Sequence, residues 1–398
     1  SMGQTLPLDG VEILDLTRLL PGGYATMVLH DLGASVTKIE NPNGGDELRG
    51  MPPFCDGVSV LFSAINRGKK SVAVNLKLDE GRQVFLKLAR QADVIVEGFR
   101  PGVTARLGVD YESVRGVKAD IVYCSITGYG QDGPYRDKAG HDLNYLGYAG
   151  VASLTGTADG TLSVPGVQIA DIGCGALMAV IGILAAVHRR DTTGDGAYLD
   201  VSMFDGALAW VPFQLAEYFS TGDVPGPGIW TLSGKYPCYN LYRTRDGGYL
   251  AVGALEMKFW ANLCRELGRP DLLEGQFATG DDGDAVKNEL AAIFATKTRD
   301  EWVARLGEKD VCVGPVNALD EAVRDPHVRH RGIIDRPDGA PVPYVRFPVK
   351  LEGVVPTSFR PAPVLGEDTD ETLSSLGYSE AELHELAASG AIRRATPQ

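Results

Sequence analysis

"VEILDLTRLLPGGYATMVLHDLGASVTKIE", Val11 to Glu40, is the stretch on which the fold turns. Its apolar "VEILDL" reads as a strand, the residues up to about Leu32 as a helix, and "SVTKIE" as a second strand, which makes a β-α-β unit. The pattern repeats. "KSVAVNL", "DEGRQVFLKLARQA" and "DVIVEGF" give a second strand, helix and strand, and "ADIVYCSITGYG" adds another strand that ends in a glycine-rich loop. Strands alternating with helices predict a doubly wound parallel sheet, whose ligands sit at the carboxyl ends of the strands. No G-x-G-x-x-G fingerprint follows "VEILDL", and the Gly22–Gly23 pair is explained by packing, so an ordinary dinucleotide domain is not expected.

The totals narrow the classes. A chain of 398 residues with 44% hydrophobic content predicts two domains rather than one core. A formal charge of −14 argues against nucleic acid as a partner, because phosphate backbones need a basic surface. Six cysteines without a C-x-x-C pair read as reduced thiols, and no metal is expected. The longest apolar run, Ala176 to Val187, is short for a bilayer span, and no signal-like segment opens the sequence, so no membrane is expected and a cytoplasmic setting is.

Further along, Gly173 to Arg190 reads as a central helix with apolar residues on nearly every face and a buried first turn. The Pro/Gly-rich "GDVPGPG", Gly222 to Gly228, marks a hinge. The expected organisation is a large domain over 1–225, a small domain over 226–335, and a return to the large domain over 336–398. Thr298/Glu301 and Ser379/Glu382 have the spacing of capping boxes.

Chemistry concentrates in "KAGHDLNYLG", Lys138 to Gly147, and "QIADIGCGALMA", which holds Asp171. His141 reads either as a structural loop histidine or as a catalytic base, and Asp171 either as a helix N-cap or as a catalytic carboxylate. "DPHVRH", with Asp325, His327 and His330, reads as an exposed turn rather than a metal site.

Several segments together resemble the class III CoA-transferase family, and in particular its α-methylacyl-CoA racemase branch. They are "DLGASVTKIENP", "NRGKKSVAVNLK", "ADVIVEGFRPGV", "SITGYGQDGPY", "AGHDLNY", "GYLAVGALEMKFW", "GPVNALDEAVRDPH" and "PAPVLGEDTDETL". The resemblance implies an α/β fold with a Rossmann-like large domain built from both chain ends, a smaller α+β domain, and an interlocked homodimer. It implies that transferases use the carboxylate at Asp171 as a nucleophile, whereas racemases pair it with a histidine, here His141, and with a glutamate, here Glu256. Lys38, Arg67, Lys69, Lys70, Arg100 and Arg106 become candidate partners of the CoA phosphates, and Tyr129 and Gly130 of the ligand's inner arm. No cofactor is implied beyond the CoA of the substrate itself.

Epimerisation next to a thioester needs two bases on opposite faces. Histidine suits one side, with an unperturbed pKa of about 6.5; an aspartate, ordinarily near 3.9, needs burial to raise it. The central helix's first turn is expected to supply both that burial and amides for the charge on the thioester oxygen, with Gly173 admitting substrate to the backbone. Asn240 and "DIGCG" depart from the branch's usual residues and leave the acyl group open. Racemisation, CoA transfer and silent acyl-CoA binding are the competing expectations.

Overall fold

The computed structural model describes residues 5–395. The chain forms two compact units, one from residues 1–149, 166–210 and 331–398, the other from Gly150–Pro165 and Val211–His330.

In the first unit, β1 (Glu12–Asp15), β2 (Ser35–Glu40), β3 (Lys70–Val74), β4 (Val94–Glu97), β5 (Val122–Thr127) and β6 (Ala197–Ser202) lie in the order β3-β2-β1-β4-β5-β6. All their pairings are parallel. This is the Rossmann order, and its direction reverses between β1 and β4, so the ligand crevice lies beyond the ends of those two strands. A last strand, Ile392–Arg393, pairs antiparallel with β3. The returning tail is stitched on before it arrives: Ser71 and Ala73 donate their amides to the side chains of Asp368 and Thr369. A single sheet therefore uses both chain ends.

The β-α-β reading of Val11 to Glu40 holds, with α1 at Leu20–Asp31 between β1 and β2. A Cβ on Gly22 would stand 2.2 Å from that of Thr17, and one on Gly23 would stand 2.8 Å from Ile65. The glycine pair therefore serves close packing of α1. One core cluster of this unit gathers Val84, Phe85, Val109, Val114, Tyr123, Leu373 and Leu383. Phe85 is fully buried, and its truncation to alanine would cost about 3–5 kcal/mol.

Two helices carry the site, α2 (Asp142–Tyr148) and the central α3 (Leu177–Thr193). The central helix is longer than expected: a π-helical turn, Ile169–Ala176, precedes α3, and Gly194 ends it at φ 80°. The continuous run spans 25 residues and is long and apolar enough to cross a membrane, but half of its most apolar window is buried inside the protein. Burial is also less complete than its composition suggests, since Leu177 and Ile181 are exposed one helical turn apart.

In the second unit, β7 (Tyr239–Arg243), β8 (Tyr249–Gly253) and β9 (Val313–Pro315) form an antiparallel sheet with β8 in the centre. Its core holds Trp260, Phe294 and Trp302, and both indole N–H groups donate to main-chain carbonyls. The division falls after Trp210 rather than near residue 225. "GDVPGPG" is not the hinge: it follows the helix Pro212–Thr221, whose C-cap is Gly222 at φ 77°. Residues 150–165 also join this unit, where Gly228 lies so close to Ala158 that a Cβ would meet its amide nitrogen at 2.8 Å. Of the two expected capping boxes, Ser379/Glu382 forms both bonds. Thr298 accepts the Glu301 amide, but the Glu301 carboxylate turns to Arg245 instead.

Candidate active site

His141 is the N-cap residue of α2, in extended conformation, and its amide donates to the Asn144 side chain at 3.0 Å. The imidazole itself has no hydrogen-bond partner among the described residues and is left for other chemistry. The neighbouring Asp142 accepts the Asp171 amide at 2.9 Å, which fastens the histidine loop to the π-helical turn. Asp171 is the third residue of that turn rather than its N-cap, so the capping explanation of this carboxylate fails. π-Turns recur at functional positions in helices.

Burial pushes the Asp171 carboxyl up to about 6, the Asp142 carboxylate adds to the rise, and the His141 imidazole opposes it. The two expected bases are therefore within electrostatic reach of one another. Its environment gives Asp171 the raised basicity that a proton abstraction near neutral pH requires. Cys174, one turn on, is buried, and burial pushes its thiol up to about 11, away from the range of a reactive thiolate.

Two features of the expected first turn are corrected. Asp171 spends its amide on Asp142, and Ile172 spends its amide on the Gln168 carbonyl. Gly173 is not open to substrate either. A Cβ there would stand 2.1 Å from the indole of Trp210, so glycine admits Trp210.

Tyr145 completes this part of the site. Its hydroxyl donates to the Gly140 carbonyl at 2.6 Å, and its ring stands edge-on to Tyr129. Burial and then Asp171 push its phenol up to about 12, with Arg100 pulling the other way. Arg100 thus belongs to the same neighbourhood as Asp171.

The structure sorts the cationic candidates by burial. Lys38 is fully buried, bonded to the Thr17 carbonyl at 2.8 Å and paired with Asp46 at 3.0 Å. Burial opposes its charge, but Asp15 and Asp46 raise its basicity overall. Lys69 is likewise interior, held by Asp15, Asn66 and the Gly23 carbonyl. Arg67 pairs with Asp31 at 2.6 Å beneath the Tyr344 ring. In this structure these three side chains are spent on internal partners. Lys70 is partly exposed, and Arg100 and Arg106 are exposed; none has an ion-pair partner among the described residues. Arg100 follows β4 at the sheet's switch point, where Glu97 accepts the Phe99 amide at 2.8 Å and braces the loop.

Tyr129 is buried among the rings of Tyr135, Tyr145 and Tyr148, and its hydroxyl has no partner among the described residues. Gly130, at φ 93°, is also buried, with its amide on the Thr127 hydroxyl. Glu256 lies in the second unit, exposed, as the N-cap residue of the helix Met257–Glu266, and it makes no capping bond. Asp325 accepts the His327 amide at the start of the helix Pro326–Arg331, so "DPHVRH" forms a short helix rather than the expected turn.

The profile of CoA-transferase family III matches residues 8–369. The chain belongs to that family. It is 34% identical to the succinyl-CoA:glutarate CoA-transferase of Mus musculus, over 98% of this chain and 91% of that one. It is 33% identical to the α-methylacyl-CoA racemase of Homo sapiens, over 96% of each. Among solved structures, a CAIB/BAIF family protein from Brucella suis matches with a TM-score of 0.83 at 31% identity, covering 94% of this chain and all of that one. Rv3272 from Mycobacterium tuberculosis matches with a TM-score of 0.78 at 30% identity, over 92% and 99%. The family III enzymes most similar to this chain thus include both CoA-transferases and racemases, at nearly equal identity.

Sequence reasoning passed over three residues of this family III site. Asp142 ties the loop to the π-turn, Tyr145 braces Gly140, and Trp210 covers Gly173. Asp142 and Tyr145 sit beside His141 in the quoted motif, so the signal was present. Trp210 had none, being 37 residues from its glycine.

Proposed function

We propose that this family III protein is a racemase or epimerase of 2-methylacyl-CoA thioesters that works by two-base proton transfer. The observation that carries the reading is the juxtaposition of an uncommitted His141 with an Asp171 carboxyl raised to about 6. One base takes the C2 proton, leaving a planar enolate of the thioester. The other delivers a proton to the opposite face. The exchange is balanced without an oxidant, reductant or resident cofactor, and the CoA belongs to the substrate. Each base contributes about 100- to 10,000-fold. Glu256 is assigned to orient the imidazole and to support its charged form after proton abstraction.

The resemblance that assigns these roles also carries an interlocked homodimer, and the exposed apolar Leu177 and Ile181 favour association. Sedimentation that finds a folded monomer at micromolar concentration would remove the dimer from the reading. A cytoplasmic setting is part of the same reading.

CoA transfer between carboxylic acids is the second reading, favoured by the dicarboxylate CoA-transferases among the relatives. Asp171 would then attack the thioester carbonyl, expel CoA as a thiolate and pass through a mixed anhydride. Incubation with a 2-methylacyl-CoA in deuterated water separates the two. Deuterium at C2 with inversion is the expected result. Hydroxylamine trapping of Asp171 in the presence of a donor thioester, without C2 exchange, would replace racemisation by transfer, and neither outcome would leave a silent acyl-CoA binder.

A further inference from the structure

Two glycines flank a space that one tyrosine fills. A Cβ on Gly128 would stand 2.3 Å from the Tyr145 ring, and one on Gly140 would stand 2.9 Å from it. The ring is buried, it meets Tyr129 at 5.1 Å and 87°, and its hydroxyl donates to the Gly140 carbonyl at 2.6 Å. Gly140 is the residue immediately before His141, and Tyr145 stands one turn into the helix that His141 caps.

The bond therefore closes a ring of backbone around the histidine. Without it, the Gly140–His141 peptide would keep the Asn144 bond to its amide but lose the bond to its carbonyl. The two bonds grip one peptide unit, that between Gly140 and His141, from its carbonyl and from its amide, while the carbonyl of His141 is held by the amides of Asn144 and Tyr145.

We infer that Tyr145 is a positioning residue, whose phenol holds the Gly140 carbonyl and thereby sets the place of the His141 imidazole relative to Asp171. The inference rests on the two-base reading and assigns one base its support. Its consequence is asymmetric. Asp171 stands on a different element, the π-turn that runs on into α3, and its tether to Asp142 lies beyond the peptide that the phenol holds, so loss of the phenol's hydrogen bond displaces His141 more than Asp171. Displacements of about 1 Å at a reacting group cost on the order of 100-fold in rate.

Tyr145→Phe keeps the ring that fills the space between the two glycines and removes only the hydrogen bond. In deuterated water, exchange of the epimer that His141 deprotonates should fall about 10- to 100-fold, and inversion should fall with it. Exchange through Asp171 and the KM for the thioester should stay within about threefold, because the other base and the binding groups are untouched. Equal loss in both exchange arms, or no loss in either, overturns the inference. A second measurement does not depend on turnover: imidazole ¹⁵N shifts of the folded protein, assigned with His141→Ala, should move at His141 in Tyr145→Phe and not at the other histidines. If the parent shows no exchange at all, the racemase reading fails, and the NMR comparison still decides whether Tyr145 positions the imidazole. Unchanged His141 shifts would end the inference.

Discussion

The Asp142 carboxylate accepts the Asp171 amide at 2.9 Å while raising the basicity of the Asp171 carboxyl. One side chain thus performs two tasks, a tether through its hydrogen bond and a bias through its charge. The tasks are separable, because an asparagine can keep the bond and lose the charge.

Asp142→Asn should therefore leave the fold intact and lower the Asp171 carboxyl from about 6. Burial, the larger cause, remains, so the carboxyl should fall only part of the way back toward 3.8. The acid limb of kcat/KM should move down with it. A limb that stays in place would mean that Asp171 is not the group titrating there.

Stability carries the same signature with a definite sign. Folding raises the Asp171 carboxyl from 3.8 to about 6, so the native state binds this proton more tightly than the unfolded chain does. The resulting stabilisation is complete below about pH 4 and is lost as pH rises through about 6. Above that, the ionised carboxylate burdens the fold by up to about 2 kcal/mol after allowance for its partial exposure. Asp171→Asn should be more stable than the parent at pH 8 and equal to it at pH 4, in urea titrations at both pH values. Greater stability of the parent at pH 8 would contradict the burial argument.

The two bases are distinguished by which face each serves. His141→Ala should abolish inversion, by about 100- to 10,000-fold, while one epimer still exchanges its C2 proton through Asp171. Asp171→Asn should show the opposite preference. Glu256→Gln should lower inversion less than either. A folded His141→Ala protein that inverts substrate at the parent rate would return the imidazole to a structural role.

The sheet was legible in the sequence because its signals are local. Apolar strands and turn glycines declare themselves within a few residues, and the repeated β-α-β rhythm announces a parallel sheet, whereas the strand order that places Arg100 at the switch point is a property of the folded sheet. The site was legible in part, since His141 and Asp171 lie in short quoted motifs. The misplacements share one cause. Whether Lys38 meets a phosphate or Asp46, or whether Gly173 meets substrate or Trp210, depends on residues that only folding brings close. Side-chain type records charge and size, and it does not record the neighbour.

The last prediction uses that contrast between two cations. Arg100 is exposed and without an ion-pair partner among the described residues, while Lys38 is fully buried between Asp46 and the Thr17 carbonyl, beside Asp15. Arg100→Ala should weaken acyl-CoA binding about 10-fold or more, since charge-assisted bonds contribute about 1.5–3 kcal/mol. The loss should shrink as salt is raised, because exposed charges are screened. Lys38→Met should behave in the opposite way. It leaves Asp46 with an uncompensated buried charge, Asp15 keeping Lys69, which costs about 3–5 kcal/mol of stability, while the molecules that remain folded should bind acyl-CoA as the parent does. Calorimetric titration of both variants, with the folded fraction measured by circular dichroism, tests the pair. Weakened binding in folded Lys38→Met, or parent-like binding in Arg100→Ala at low salt, would reverse the assignment of these two residues.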